Sequence, residues 1–165
     1  MMPSTPKLLI VGYSGVGKTA VGEILAELTS GKCANTSDYI IADYAQLLGL
    51  PVAEVLANKV KLRRKLYAHA THMKTKDPAY WARLALYSGA NIVTGVRDSG
   101  EFDAARPLFD HAIWVHRHGY GPNETDRVHS HVADRFVFGG YEGGHWRQQL
   151  ERQCYALLLD LETEL

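Results

Sequence analysis

The chain has 165 residues, and its 18 Lys and Arg balance its 18 Asp and Glu. That length suits one domain and can bury roughly 70% of its unfolded surface without disulfide or metal staples. Apolar residues at 46% and charged residues at 22% exclude disordered, collagen-like and low-complexity classes. Zero net charge argues against nucleic-acid binding by the whole surface but leaves a local basic patch open.

In chain order, residues 1–11 carry one Lys and a short apolar run with no small-residue cleavage site after it, so a signal peptide is not expected. KLLIVG (7–12) has the pattern of a buried strand. The next helix, 18–29, places Val21, Ile24, Leu25 and Leu28 on one face. A short strand is expected near 33–36, and Asp38 is placed to cap a helix over 39–48. Gly49 ends that helix and Pro51 can start the next. Residues 52–73 read as helix with a break near Asn58, and Leu62, Leu66, Tyr67, Ala70 and Met73 form its apolar face. A helix over about 78–88 turns Tyr80, Trp81, Leu84 and Ala85 inward. NIVTGV (91–96) and HAIWVH (111–116) are strands, with a helix over 100–107 between them. Residues 117–131 are polar and glycine-containing, as expected of a loop or lid. RFVF (135–138) reads as a last strand, and 144–163 as a closing helix with Trp146, Leu150, Cys154, Leu157, Leu158 and Leu161 on one face.

Alternating strands and helices predict a three-layer α/β fold over residues 1–165. Its mainly parallel sheet of about five strands has helices on both faces. Ligands bind such sheets at the carboxyl ends of the strands. Functional residues are therefore expected just after positions 11, 36, 96 and 116. No apolar run approaches the roughly 18 residues of a membrane span, so no membrane association is expected. Cys33 and Cys154 form no disulfide framework, which points to a reducing, cytoplasmic setting.

GYSGVGKT (12–19) matches G-x-x-x-x-G-K-[ST], with a strand before it and a helix after it. Gly12, Gly15 and Gly17 allow the backbone turns and the close approach that phosphate binding needs. With Ser14 and Val16 they present backbone N–H groups to phosphate, aided by the positive end of the following helix. Lys18 reaches the outer phosphates, and the Thr19 hydroxyl is the Mg²⁺ ligand. The pattern implies a nucleoside triphosphate and Mg²⁺.

The base-reading N-K-x-D of GTPases is absent, since Asn58-Lys59-Val60-Lys61 lacks the Asp. A motor ATPase needs more chain. A small kinase remains, because phosphoryl transfer depends on positioning and charge neutralisation. Arg63 and Arg64 lie in the basic run KVKLRRK (59–65); Arg97 and Arg117 follow strand ends, and Arg127 is in the lid. Asp38, 20 residues after Lys18, could deprotonate an acceptor hydroxyl, with Asp43 a weaker candidate. A lid would exclude water from the transfer. His116/His118 and His129/His131 form two His-x-His pairs, but no further ligand is spaced to complete a metal site.

The loop, KDPAYWARLAL (76–86) and VTGVRDSGEFDAAR (93–106) together resemble the P-loop nucleoside monophosphate kinase superfamily. Within it they are most similar to the phage deoxynucleoside monophosphate kinase-like branch, which includes phage DNA-base kinases. The residues that carry the resemblance are Asp77, Pro78, Trp81, Gly95, Val96, Arg97, Glu101 and Arg106, with Arg117, His131 and Asp134 further on. The resemblance implies an ATP donor, Mg²⁺ and a nucleotide acceptor. Arg97 would touch the acceptor or the transferred phosphate, Arg63 the acceptor phosphate, and Arg117 or Arg127 would act from the lid. The acceptor region, about 38–88, would also use Asp38, Arg64 and Trp81. Many relatives have Asp where Thr94 stands, so Asp38 and Asp98 are the acids that could serve the metal's water shell.

Three functions stay open on these residues. A monophosphate kinase needs arginines but no strong base. A hydroxyl kinase acting on 5-hydroxymethyluracil in DNA or on polynucleotide 5′ ends would use Asp38 as base. It would use the 59–65 run on the DNA backbone and Tyr39, Tyr67, Tyr80 or Trp81 on a flipped base. The third function is a nucleotide-binding protein with a silent site. A homodimer contact through the closing helix also stays open.

Overall fold

The computed structural model describes residues 5–124, 126–140 and 143–163. Strand β1 (Leu8–Val11) lies in the middle of a five-stranded sheet. Its companions are β2 (Cys33–Asn35), β3 (Ile92–Thr94), β4 (His111–His116) and β5 (Arg135–Phe138), in the order β2-β3-β1-β4-β5 with every pair parallel. Ile10 pairs with both Thr94 and Ile113, which fixes the register at the carboxyl rim.

All four β1 side chains are fully buried, as a central parallel strand requires. Alternation sends Leu8 and Ile10 to one face and Leu9 and Val11 to the other. The first face is covered by α1 (Lys18–Thr29) and α7 (Trp146–Glu162) through Val21, Ile24, Leu25, Leu150, Cys154, Leu157 and Leu161. The second is covered by α5 (Tyr80–Tyr87) and α6 (Ser99–Ala105) through Ala82, Ala85, Phe102 and Ala105, with Phe109 and Trp114. Each large aliphatic side chain so buried contributes about 1.5–3 kcal/mol. A satellite cluster of Ile41, Tyr44, Ala45, Val55 and Leu66 joins α2 (Thr36–Leu48), α3 (Val52–Ala57) and α4 (Lys59–Lys74).

The α/β architecture, the five strands and the break at Asn58 match the expectations from sequence. Helix α2 does not start where expected. Its N-cap is Asn35, whose side chain accepts from Ser37 N, so Asp38 is an exposed first-turn acid and not the cap. Leu28 and Tyr67 are exposed at 43% and 66%, off the apolar faces assigned to them. Among the described residues no helix is long and apolar enough to cross a membrane.

Candidate functional site

The glycine loop leaves β1 at Gly12 and enters α1 at Lys18. Gly12 passes so close to β4 that an added Cβ would lie 2.7 Å from Val115 O. Lys18 folds back over the loop, and its Nζ donates to Gly12 O (2.8 Å) and Tyr13 O (2.7 Å). Burial lowers the ammonium from 10.5 to about 8; nearby Arg97 pushes the same way, and Asp126 opposes both. Thr19 is exposed on the first turn of α1.

The rim beside the loop is drawn together by Gly95, just past β3, at φ 103°. A Cβ there would sit 2.3 Å from Thr36 Oγ1 and 2.6 Å from Asn35 Oδ1. Only glycine accommodates both this backbone and this approach. The exits of β2 and β3 are therefore in contact, with Asp38 following the first and Arg97 the second. Burial, with smaller contributions from Glu23 and Asp38, pushes the half-buried Cys33 thiol up to about 11.

The segment after β4 packs along the loop. The Tyr120 ring lies against Gly15, and the Arg117 guanidinium lies 4.6 Å from that ring's centre. Asp126 Oδ2 accepts from Ser14 N and from Asn123 N, both at 3.1 Å. Tyr13 Oη and His129 Nδ1 are 3.0 Å apart, and Tyr13 stands edge-on to Trp114. Arg127 N donates to Arg97 O (2.8 Å), which straps the segment to the β3 exit. Val16, Gly17, Ala20, Arg117, Gly140 and Trp146 line a cavity of about 360 Å³ beside the loop.

The structure thus gathers Lys18, Arg97, Arg117 and the Arg127 backbone around the loop. Arg63 and Arg64 are exposed on α4, and the Arg127 side chain is exposed too. Trp81, expected at the acceptor site, is fully buried and donates its ring N–H to Ala70 O (3.2 Å). It presents no surface to an acceptor and is a packing residue. Asp43 is paired with His69 (2.7 Å), tying α2 to α4. Asp98 Oδ1 caps α6 by accepting from Glu101 N. Arg106 and Asp134 form an ion pair at 2.8 Å, and Asp134 also accepts from Ala112 N. Glu101 is buried against Lys74, and desolvation raises its pKa more than the ammonium lowers it.

Asp126, Tyr120 and Trp146 are site residues that the sequence reading missed. Asp126 and Tyr120 sit in a polar stretch with no motif, and Trp146 looks like part of a helix face. The His129 and His131 rings stack with centres 6.4 Å apart. Among the described residues no group of three His, Cys, Asp or Glu is placed to hold a metal.

No family model matches the sequence, and no curated protein matches it. Solved structures do. The chain is similar to the shikimate kinase of Acinetobacter baumannii in complex with shikimate, at 16% identity over 95% of this chain and 94% of that chain, with a TM-score of 0.55. A shikimate kinase from Aquifex aeolicus aligns at 14% identity over 95% and 96% of the two chains, with a TM-score of 0.49. A sugar kinase from Janibacter aligns at 14% over 93% and 91%, with a TM-score of 0.43. The first likeness and the strand order define the class: this is a P-loop kinase-like fold.

Proposed function

We propose that the protein is an ATP-dependent phosphotransferase that moves the γ-phosphoryl group to a (deoxy)nucleoside monophosphate. The observation that carries this reading is the position of the complete phosphate loop. It lines a cavity of about 360 Å³ together with Arg117 and Trp146, and its Lys18 lies within the field of Arg97. In this reading the loop N–H groups and the start of α1 hold the donor phosphates, and the base enters the cavity against Trp146. Lys18 leaves Gly12 O and Tyr13 O to meet the outer phosphates. Arg97 holds the transferred or acceptor phosphate, Arg117 and Arg127 act from the lid, and Arg63 and Arg64 draw in the acceptor. A phosphate acceptor is already ionised at neutral pH and needs no strong base.

The chain also offers oxygen donors suited to a hard divalent cation: the exposed Thr19 hydroxyl, with Thr94 Oγ1 and Asp126 Oδ1 buried and lacking hydrogen-bond partners. Bound Mg²⁺ offsets charge on the outer phosphates.

A second reading is favoured by one observation. Asn35 fills the cap, so Asp38 stands exposed beside the β3 exit and is available as a base toward a hydroxyl of DNA. Labelled ATP with Mg²⁺ separates the two. One arm offers free deoxynucleoside monophosphates, and the other offers DNA with and without 5-hydroxymethyluracil or 5′-hydroxyl ends. Label is expected in a nucleoside diphosphate, abolished by Lys18→Ala and little changed by Asp38→Asn. Label in DNA, lost with Asp38→Asn, replaces this reading with the second. ATP binding without transfer to any acceptor marks a silent site.

A further inference from the structure

Among the described residues, Thr94 Oγ1 and Asp126 Oδ1 are the buried side-chain oxygens without a hydrogen-bond partner. Thr94 is 1% exposed and Asp126 5%. A buried carboxylate oxygen with nothing to accept from is costly, and a cation or a hydrogen-bond donor relieves it. From these two atoms we infer that Asp126 is the carboxylate that engages the divalent cation of a bound nucleoside triphosphate, supplied by the lid because the strand end carries Thr94. The inference rests on the phosphotransferase reading above.

Asp126 is held from two directions. Ser14 N and Asn123 N both donate to Oδ2, and the next residue's N–H is bonded to Arg97 O. This leaves Oδ1 over, on a carboxylate held against the phosphate loop. Lys18 feels the Asp126 charge, but its Nζ donates to Gly12 O and Tyr13 O. Nucleotide phosphates beside this carboxylate would repel it unless a cation lay between them.

The other acids of the rim are less suited. Asp98 is used as the α6 cap, and Asp38 is exposed. Asn35, at the β2 end, accepts from Ser37 N. Oxygen donors from a carboxylate, the Thr19 hydroxyl and phosphate make a site for a hard divalent ion. Since Asp126 is in the strap over the loop, cation binding and lid position are then one equilibrium.

The test measures the affinity of full-length protein for a non-hydrolysable ATP analogue by calorimetry, with and without Mg²⁺. The proteins are wild type, Asp126→Asn and Asp126→Ala, with thermal melts to establish folding. In wild type Mg²⁺ is expected to tighten binding by roughly tenfold or more. Both variants should lose most of that gain while binding the metal-free analogue at least as well as wild type.

A readout without mutation is amide hydrogen exchange across residues 117–131 of wild type. Exchange should slow with the analogue plus Mg²⁺ and quicken with the analogue alone. An unchanged Mg²⁺ gain in Asp126→Asn overturns the inference. So does tightening by the same factor with and without Mg²⁺, which makes Asp126 only a competitor for Ser14 N. Lid exchange that ignores the cation also overturns it. If wild type binds no nucleotide in any arm, the phosphotransferase reading fails first and this inference falls with it.

Discussion

At Lys18 the fold works against the charge that the site needs. Its pKa falls from 10.5 to about 8, so between those values the unfolded chain binds more protons than the native one. Stability should therefore rise as pH climbs through this window, and the cost of the buried ammonium is fully present below it. Nucleotide phosphates favour the ammonium, so binding above pH 8 takes up a proton. Affinity should fall by at most about tenfold per pH unit there, and Lys18→Met should bind weakly with no such slope; calorimetry in buffers of different ionisation heat reads the proton directly. Trp81 makes the contrasting case. Trp81→Phe removes a fully buried ring and its bond to Ala70 O. It should cost about 1–3 kcal/mol in denaturant titration and leave nucleotide affinity of the folded protein unchanged. The strand–loop–helix geometry around Gly12 to Lys18 was legible because the motif dictates its own backbone. Trp81 was misassigned because a large aromatic reads alike as core or as stacking surface until its neighbours are known.

Helix α2 shows where element boundaries escape local reading. Asn35, Thr36, Ser37 and Asp38 are four consecutive residues of which each can cap a helix. Local chemistry cannot choose among them. The choice is made by β2, which pairs with β3 as far as Asn35 with Thr94 and so leaves Asn35 as the first residue free to cap. Asn35→Ala should cost about 1 kcal/mol. Asp38→Asn should cost about 0.3–1 kcal/mol through the helix dipole alone. Thermal melts of the two variants check the order, and the reverse order would restore Asp38 as the cap. Strands β1, β3 and β4 were legible from their unbroken apolar runs, and α1 from its periodicity. The break expected near Asn58 is where α3 gives way to α4.

In the whole molecule, α7 closes one face of the sheet with Leu150, Cys154, Leu157 and Leu161, and at its exposed edge Arg147 Nη2 donates to both carboxylate oxygens of Glu27 on α1. Leu157→Ala should cost about 2–5 kcal/mol, whereas Arg147→Ala should cost less than about 1 kcal/mol; equilibrium unfolding ranks them. The α/β class was legible from the alternation of elements. The strand order was not, and neither was the strap from Asp126 to Ser14, because both join residues far apart in the chain. The central place of β1 has a consequence for biosynthesis. Its four apolar residues are made well before their partners, which begin at Ile92 and His111. Until those emerge, Leu8–Val11 is an unpaired sticky strand on a growing chain. The sheet can therefore form around β1 only after residues 92–116 have been made, and until then the helix that follows β1 is the local element available to cover it.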